Sequence, residues 1–541
     1  MRYLVWIWRN MAGIRLNTAV RIAIGIAQVG FGLAMVWGCK HFIDVTIHTG
    51  SDGDLYRMIA LLVAIVLTNI ALRQAFYYMS VQAEAVQSNA IRLRLFSHLF
   101  HSRLFDDREM HSGDITSRLE RDVSTVSDTT TSLIPSFIIT SVQLAGAFLM
   151  MQYMDARLAW ALLVFTPLFV ILGKLFARRL RQMTHDIRQQ DSRIQMLIQE
   201  GMEHNTVLRS LESSDWVTER LDAMQDGLIA KIRRRTRFTL ISRSLLATTF
   251  GMGYLIAFIW GGLQLRDGVI TFGVMTSFLQ LVGQIQHPIL SLLTLVPQLI
   301  HTSASIDRLE ELAAKPSETT DGEYLSDNGM TGVEVHEVSF RYAYGDRQIL
   351  NRFSHDFRPG SKTAILGRTG AGKTTLFRLM LALTEPQEGT LSVYNANQRC
   401  PISTATRRHF VFVPQGNTLL SGTIRYNLLL ARPDATEAEM RQALHTACAD
   451  FVAELPEGLD TECGERGSGL SEGQAQRIAI ARGLLRPGSI LLLDEISASL
   501  DRHTEQELFQ RLLKDCPDKT MLFITHRMAV SELCDDVIQI D

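Results

Sequence analysis

The stretch TAILGRTGAGKTT, residues 363–375, decides the fold of the second half of this 541-residue chain. TAIL predicts a strand, and the helix-forming residues LFRLMLAL follow the quoted stretch directly. The glycines between them let the backbone wrap a phosphate with its N–H groups, and a helix N-terminus adds a partial positive charge. A strand, a loop of the form G-x-x-x-x-G-K-[ST] and a helix together predict a phosphate-binding loop in an α/β domain.

Each residue of this loop has an expected role. The Lys373 ammonium is expected to reach the β- and γ-phosphates of ATP, and the Thr374 hydroxyl to ligate Mg²⁺. The other residues of the loop are expected to bind the phosphates; they are Gly367, Arg368, Thr369, Gly370, Ala371, Gly372 and Thr375. The alternative, a glycine-rich turn that binds no nucleotide, fits the complete motif poorly.

A second chemical signal is the pair Asp494 and Glu495, which follows the apolar run ILLL at 490–493. A buried strand that ends at Asp494 supplies a carboxylate oxygen at the sheet edge where α/β domains bind ligands and where Mg²⁺ needs one. Glu495 is then placed to polarise an attacking water. Alone this pair is a weak signal, but with the upstream phosphate loop it predicts nucleotide hydrolysis.

A third segment, LSEGQAQRIAIARGLL at 470–485, predicts a helix capped by Ser471, whose free N–H groups are a further phosphate-binding end. With the two motifs above it resembles the signature of the ATP-binding cassette (ABC) proteins. The resemblance implies that Ser471, Gly473 and Gln474 bind an ATP held by a second cassette, so one chain with one cassette works as a dimer. Glu472 stands where the commonest signature has glycine, but the Ser471 hydroxyl and the Gly473 backbone are retained, so a working signature is expected. The sequence does not decide whether a carboxylate near phosphate weakens ATP affinity.

The resemblance extends to isolated residues. Tyr342 in VSFRY matches the aromatic residue that stacks on adenine, Gln415 in FVPQ matches the glutamine that senses Mg²⁺ and the attacking water, and His526 in FITHR matches the histidine that contacts the γ-phosphate. Asp501 in ASLD matches the aspartate of the D-loop. Alone, Tyr342 would be an ordinary strand residue and His526 a structural one. The resemblance thus implies catalytic roles for Glu495, His526 and Lys373, and metal ligation by Thr374, Gln415 and Asp494.

The first 300 residues carry a different signal, because their apolar residues form runs that few charges interrupt. A helix needs about 20 residues to cross a bilayer core. Six runs have roughly this length: 18–38, 56–79, 133–151, 158–176, 245–265 and 269–300. Lys and Arg concentrate before the first run, between the second and third, and between the fourth and fifth. By the positive-inside rule, both termini and the ATP-binding domain are expected to be cytoplasmic, in a multi-pass protein of the cell (inner) membrane.

The predicted fold class is therefore an α-helical six-span transmembrane domain followed by an α/β P-loop NTPase. The predicted boundaries are 1–312 for the transmembrane domain, 313–330 for a polar linker and 331–541 for the ATP-binding domain. The long connections, at 81–104 and 183–243, are interpreted as helices that extend the spans into the cytoplasm. The segment HSGDITSRLERDVSTVSD at 111–128, and Glu465 in CGERG, resemble the parts of ABC exporters where the two domains meet.

The resemblance covers nearly the whole chain and implies an ABC exporter half-transporter of the type IV (type I exporter-like) class. It implies an ATPase coupled to transport, with ATP and Mg²⁺ as cofactors and a second half-transporter and the lipid bilayer as partners. The expected cargo is a hydrophobic or amphipathic solute such as a lipid, peptide or drug. Three alternatives stay open: the active half of a heterodimer, a membrane protein whose cassette gates or regulates without pumping, and a soluble cassette enzyme acting on DNA or ribosomes.

Charge and polarity narrow these alternatives. The chain has 54 Lys and Arg against 56 Asp and Glu, a formal net charge of −2, which gives no reason to expect nucleic acid as a partner. The six apolar runs argue against a soluble enzyme. In the last run, Gln280, Gln284 and His287 share one helix face. They predict either a wet, substrate-facing surface or hydrogen bonding between helices, and the sequence does not separate these.

Overall fold

The computed structural model describes residues 2–47, 50–102, 112–318, 322–326, 329–342, 347–464 and 469–540, with only the backbone at 4, 112, 161–175, 177, 246, 249, 250, 290, 293, 294, 296, 297, 528 and 529. The chain forms two compact units. The first comprises Met1–Phe96 and Thr116–Leu312, and the second comprises Ser97–Ile115 and Ala313–Asp541. Glu465, a predicted contact residue, lies outside the described residues.

The described part of the first unit is helical. Its helices are α1 (Arg2–Asn10), α2 (Arg15–Thr46), α3 (Asp52–Phe100), α4 (Gly113–Met154), α5 (Ala156–Glu203), a short helix Asn205–Ser210, α6 (Ser214–Arg266) and α7 (Phe272–Ala313). Within the described residues, α2, α3 and α4 have both the length and the apolar composition needed to span a membrane. The predicted fourth and fifth apolar runs lie in α5 and α6, and the sixth lies in α7 except for residues 269–271.

The prediction that 81–104 and 183–243 are helical is confirmed over most of both segments. The helix α3 continues to Phe100, and α5 and α6 carry the second connection. A turn divides that connection between Glu203 and Ser214, and Glu212 adopts a positive φ of 55° within it. The sequence has no glycine or proline at this turn, so composition alone predicted an unbroken helix.

Polar side chains join α4 to α7 in the first unit. The Arg308 guanidinium donates two hydrogen bonds to the Asp122 carboxylate, at 2.8 Å from Nε and 2.5 Å from Nη2. About two turns away, later along α4 and earlier along α7, the hydroxyls of Thr129 and Thr302 are 2.5 Å apart. The α4 backbone contains two π-helical turns, Arg118–Asp122 and Thr129–Leu133, and each turn carries one of these contacts.

The described part of the second unit contains three β-sheets. Its strands are β1 (Gly332–Phe340), β2 (Leu350–Phe357), β3 (Lys362–Leu366), β4 (Glu388–Tyr394), β5 (Arg399–Pro401), β6 (Phe410–Val413), β7 (Gly422–Thr423), β8 (Glu462–Cys463), β9 (Ile490–Asp494), β10 (Thr520–Ile524) and β11 (Asp536–Gln539). An antiparallel sheet has the order β2-β1-β4-β5, a parallel sheet has the order β11-β3-β10-β9-β6, and β7 pairs with β8.

The central strands of the parallel sheet are buried on both faces because helices pack against the sheet. All residues of β9 and β10 are buried. The described α-helices that follow β1 are α8 (Lys373–Met380), α9 (Ile424–Leu429), α10 (Glu437–Thr446), α11 (Glu472–Leu485), α12 (Arg502–Asp515) and α13 (Met528–Ser531), and α9 and α10 pack against α11. In a parallel sheet, the loops that follow the carboxyl ends of neighbouring strands meet at one edge, which is where such domains bind ligands.

The end of α3 pairs with the chain that precedes β1, and both belong to the second unit. Ser102 and Ser317 form an antiparallel bridge, and the Glu318 N–H donates to the His101 carbonyl at 2.7 Å. The Glu318 carboxylate accepts two hydrogen bonds from the Arg407 guanidinium, at 2.6 and 2.7 Å. Hydrogen bonds therefore hold residues 101–102 to the segment before β1, and the Glu318–Arg407 ion pair holds that segment to the rest of the second unit.

Candidate functional site

The predicted phosphate loop lies between β3 and α8, as the sequence predicted. Two of its glycines are required by the backbone. Gly372 has a φ of 104°, and a Cβ there would lie 2.7 Å from the Ile349 side chain. Gly367 has a φ of 150°, and a Cβ there would lie 2.2 Å from the Ile540 carbonyl oxygen. Both positions combine a left-handed φ with a close neighbour, so no other residue fits the loop in this conformation.

Lys373 lies within this loop with its side chain largely buried, at 5% exposure. Its Nζ donates to the carbonyl oxygens of Gly367 at 2.7 Å and Arg368 at 3.0 Å. The same Nζ is 3.4 Å from Nε2 of His526. The lysine charge is therefore centred in the loop, on the side that faces the carboxyl end of β10.

Asp494 ends the buried strand β9, as predicted, and is 4% exposed. Its Oδ2 accepts a hydrogen bond from the Thr374 hydroxyl at 2.8 Å. Burial raises the pKa of the Asp494 carboxyl above its usual value, while the Thr374 hydrogen bond opposes that rise. The two residues present oxygen donors side by side at the start of α8, which is the donor type that Mg²⁺ prefers. They fit a Mg²⁺ site.

Glu495, the next residue, has a strained backbone. Its φ is 46°, a left-handed conformation that is uncommon for residues with a Cβ. The Glu495 N–H donates to the Ile524 carbonyl at 3.0 Å, which fixes the turn against the end of β10. Strained backbone of this kind costs about 1–3 kcal/mol and persists only where the surrounding structure holds it.

Three predicted site residues meet at the Glu495 carboxylate. Oε2 accepts a hydrogen bond from Gln415 Nε2 at 2.8 Å, and Oε1 lies 3.1 Å from His526 Nε2. Gln415 follows β6 and His526 follows β10, so the parallel sheet brings together residues far apart in the sequence. The structure therefore places a carboxylate, an amide and an imidazole next to the phosphate loop.

Ser471 caps α11, as the sequence predicted. Its hydroxyl accepts from the Gln474 N–H at 3.2 Å, and Gln474 Oε1 accepts from the Ser471 N–H at 2.9 Å, which forms a capping box. A Cβ on Gly473 would lie 2.8 Å from the Ser499 carbonyl oxygen. Among the described hydrogen bonds, none joins Ser471, Gly473 or Gln474 to the phosphate loop of the same chain.

Tyr342 lies beside the other end of the loop. Its hydroxyl is 3.1 Å from the Thr375 hydroxyl and accepts a hydrogen bond from the Arg378 guanidinium at 3.0 Å. The ring packs edge-on against Phe340, with the centroids 4.9 Å apart. The structure thus fixes the predicted adenine-stacking residue against α8 through its hydroxyl.

Sequence reasoning missed the residues of α11 that hold the segment around Gln415. Gln476, which is 1% exposed, donates from Nε2 to the Pro414 carbonyl at 3.3 Å. Arg482 donates to the Thr418 carbonyl at 3.0 Å and to the Thr418 hydroxyl at 2.7 Å. Both residues belong to the quoted segment 470–485, but no local pattern indicates partners more than 60 positions away.

Asp501 has a local role that the family motif did not predict. It caps α12, accepting from the N–H groups of His503 and Thr504, both at 3.0 Å, and from the Thr504 hydroxyl at 2.7 Å. The hydrogen bonds from the backbone and hydroxyl of Thr504 and from the His503 N–H lower the pKa of the Asp501 carboxyl. An aspartate directly before the helix-forming run that starts at Arg502 would have been a sequence signal for this cap.

Known protein families match both units. The family of the ABC transporter transmembrane region matches residues 20–289, and the ABC transporter family matches residues 350–498. The chain therefore belongs to the ABC transporters, in the class that fuses the transmembrane region and the ATPase domain on one chain. It is an ATP-driven ABC exporter: a multi-pass membrane protein with an ATPase coupled to transport, and a half-transporter, which implies a dimer.

Curated proteins from two bacteria are similar to this chain over 96% of its length. The chain is 28% identical over 530 residues to "Putative multidrug export ATP-binding/permease protein YgaD" of Bacillus subtilis (strain 168), covering 96% of this chain and 91% of that protein. A Staphylococcus aureus (strain NCTC 8325 / PS 47) protein, also called "Putative multidrug export ATP-binding/permease protein", is 26% identical over 543 residues, covering 96% and 92%.

A solved structure has the same fold. The chain matches the structure of a bacterial Atm1-family ABC exporter with ATP bound, with a TM-score of 0.80, over 98% of this chain and 94% of that one. The sequences are 21% identical. The predicted fold class, a helical transmembrane region followed by an α/β ATPase domain of the type IV exporter class, is confirmed.

Proposed function

We propose that the chain exports a hydrophobic or amphipathic solute as a homodimer, with the cassettes on the cytoplasmic side. The contacts of Glu495 with Gln415 and His526 carry the proposal, because they place a carboxylate, held from both sides, beside the phosphate loop. The multidrug-export names of the two relatives support the cargo class. The distribution of Lys and Arg between the apolar runs supports the orientation.

The site residues have distinct roles in the proposed hydrolysis. Lys373 neutralises charge on the β- and γ-phosphates, and the backbone N–H groups of the phosphate loop orient them. Thr374 and Asp494 would hold Mg²⁺ together with Gln415, and Mg²⁺ supplies further neutralisation of the phosphates. Glu495 accepts the proton of the attacking water, and His526 contacts the γ-phosphate.

The arrangement of the signature supports the dimer. No described hydrogen bond joins Ser471, Gly473 or Gln474 to the phosphate loop of the same chain, which agrees with a role in completing the loop of a partner. Since this chain carries both parts, two copies form two complete sites. The chain purified alone is expected to have the mass of a dimer and to hydrolyse ATP. If it gains activity only when a different half-transporter is added, the heterodimer is the correct assignment.

The decisive experiment compares the wild type with Glu495→Gln after reconstitution into liposomes. We expect the variant to bind ATP as the wild type does and to lose about 10²–10⁴-fold in hydrolysis rate, the usual contribution of a general base. The exposed Glu532→Gln variant is the control and should keep the wild-type rate. ATP-dependent uptake of a fluorescent amphiphile into inside-out vesicles then separates an exporter from a protein that only gates or regulates. Normal turnover by Glu495→Gln would refute the catalytic assignment.

A further inference from the structure

A cavity in the first unit combines apolar walls with a small group of polar side chains. It has a volume of about 350 Å³ and is lined by residues of α2, α3 and α7. The α2 wall is apolar and includes Phe31 and Met35, and the α3 wall includes Ile65 and Ile70. A cavity of this size, mostly apolar with few polar groups, is typical of small-molecule sites.

The polar groups of the cavity come from two helices. Asn69 and Arg73 on α3, and Gln280 and Gln284 on α7, all line it. Each pair is spaced by four residues and therefore lies on one face of its helix. No hydrogen bond within the described part of the chain occupies these four side chains, so their donors and acceptors are available to a ligand. Of the predicted polar face of α7, the cavity includes Gln280 and Gln284 but not His287.

Arg73 gives the cavity a net positive charge. None of the residues that line it is acidic. The nearest acid along α3 in the cytoplasmic direction is Glu84, about 16 Å away at 1.5 Å per residue, and α7 has no acidic residue before Asp307. An arginine within a membrane-spanning segment is costly unless it finds an anion or water, so such a residue marks a functional position. A guanidinium is suited to sulfate, phosphate or carboxylate groups, which it can hold with two hydrogen bonds.

We propose that this cavity binds an amphipathic anion, with its acidic group on Arg73 and the amides of Asn69, Gln280 and Gln284, and its apolar part along α2 and α3. This inference rests on the proposed export function and names the chemical class of its cargo. The anion is either a free solute or the headgroup of an anionic lipid, because both present the same chemistry to Arg73.

The test uses the full-length protein in nanodiscs of phosphatidylcholine and three probes of the same length: pyrenedodecyl sulfate, pyrenedodecanol and pyrenedodecyl trimethylammonium. Binding is measured by energy transfer from tryptophan to pyrene, and ATP hydrolysis is measured in parallel. We expect the wild type to bind the sulfate at least tenfold more tightly than the other two probes. Arg73→Gln should lose about tenfold in affinity for the sulfate only, and Arg73→Lys should retain part of the preference.

Arg57→Gln is the matched control, because Arg57 is on the same helix, is 85% exposed and pairs with Asp54 at 3.6 Å. It should bind all three probes as the wild type does. Equal affinity of the wild type for the sulfate and the alcohol would overturn the proposal, and so would an Arg73→Gln variant with wild-type preference. Wild-type affinity of Arg73→Gln for the alcohol and trimethylammonium probes shows that the variant is folded.

A second series identifies the source of the anion. If a lipid headgroup is the ligand, nanodiscs with phosphatidylglycerol and no probe should stimulate ATP hydrolysis by the wild type but not by Arg73→Gln. If only the sulfate probe stimulates ATP hydrolysis, the ligand is a free solute. A wild type without ATP hydrolysis in any nanodisc would refute the export function, while probe binding would still be measured. Normal hydrolysis without charge preference would refute only the anion site.

Discussion

The Gln415 amide donates a 2.8 Å hydrogen bond to the Glu495 carboxylate, which joins the loop after β6 to the turn after β9. The carboxylate is held at its other oxygen by the 3.1 Å contact with His526. Its direction is therefore set by residues that follow two other strands of the same sheet.

We expect Gln415→Ala to lower the rate of ATP hydrolysis by about tenfold or more. A hydrogen bond to a charged group contributes about 1.5–3 kcal/mol, and 1.36 kcal/mol corresponds to a factor of ten in rate. Hydrolysis at saturating ATP measures the effect, and ATP binding to the purified variant provides the control. Replacement of the nearby Asn417 by Ala should change the rate much less. A wild-type rate for Gln415→Ala would show that the glutamine does not position Glu495.

The left-handed backbone of Glu495 predicts an unusual order of stabilities. Glu495→Gly and Glu495→Ala both remove the carboxylate and should both abolish hydrolysis. Only glycine adopts a φ of 46° without strain, so we expect the Gly variant to be about 1 kcal/mol more stable than the Ala variant. For a domain of this size that difference corresponds to a melting temperature about 2–4 °C higher.

The same two substitutions at Glu507, inside helix α12, are the control for this comparison. There the order should reverse, because glycine in a helix interior is about 1 kcal/mol less stable than alanine. Thermal unfolding of all four variants by differential scanning calorimetry makes the comparison. An Ala variant at 495 that is as stable as the Gly variant would contradict the strain.

Glu472, the first residue of α11, is exposed beside the signature residues Ser471 and Gly473. In the proposed dimer its carboxylate lies near the phosphates of the partner's ATP. We expect Glu472→Gln to lower the KM for ATP about fivefold, since two exposed charges interact by about 1 kcal/mol at close range.

Salt provides the check on this electrostatic effect. The difference between Glu472→Gln and the wild type should shrink as ionic strength rises, because salt screens exposed charges. Glu532→Gln, an exposed change far along the sequence from the signature, should leave the KM unchanged. A fivefold gain that persists at high salt would mean that the carboxylate does not act through its charge.

His355 predicts a pH dependence of ATPase stability. Burial lowers the pKa of His355 below 6.5, and the Asp536 carboxylate 3.4 Å away opposes this only in part. The unfolded chain then binds a proton that the folded chain does not, so the free energy of unfolding decreases as the pH falls through 6.5. The melting temperature should fall from pH 7.5 to pH 5.5, and His355→Gln should reduce that fall. Equal pH dependence in both proteins would rule out His355 as a source.

The contiguous parts of the ATP site were predictable because their chemistry is local. Strand, glycine loop and helix follow one another at 363–380, and the apolar run before Asp494 indicates its buried strand. The capping box of Ser471 and Gln474 is also local, with partners three residues apart. Each of these predictions depends only on backbone geometry and on neighbouring side chains.

Contacts between segments far apart along the chain could not be predicted from the sequence. Nothing local indicates that Gln476 contacts Pro414, or that Gly473 leaves no room for a Cβ because of the Ser499 carbonyl. The π-helical turns of α4 could not be predicted either, because the residues of Thr129–Leu133 have no pattern that departs from an ordinary helix. Packing against α7, where Thr302 meets Thr129, is a tertiary effect that periodicity does not report.

The pairing of Ser102 with Ser317 affects how the protein is made. His98 and Lys315, which are 3.1 Å apart at this pairing, are separated by 217 residues. At a synthesis rate of about 5–20 residues per second, His98 is synthesised roughly 10–40 s before Lys315. Throughout that interval the end of α3 lacks its partner strand, while the intervening helices are being inserted. The ATPase unit is therefore begun before most of the membrane helices are translated and is completed after them.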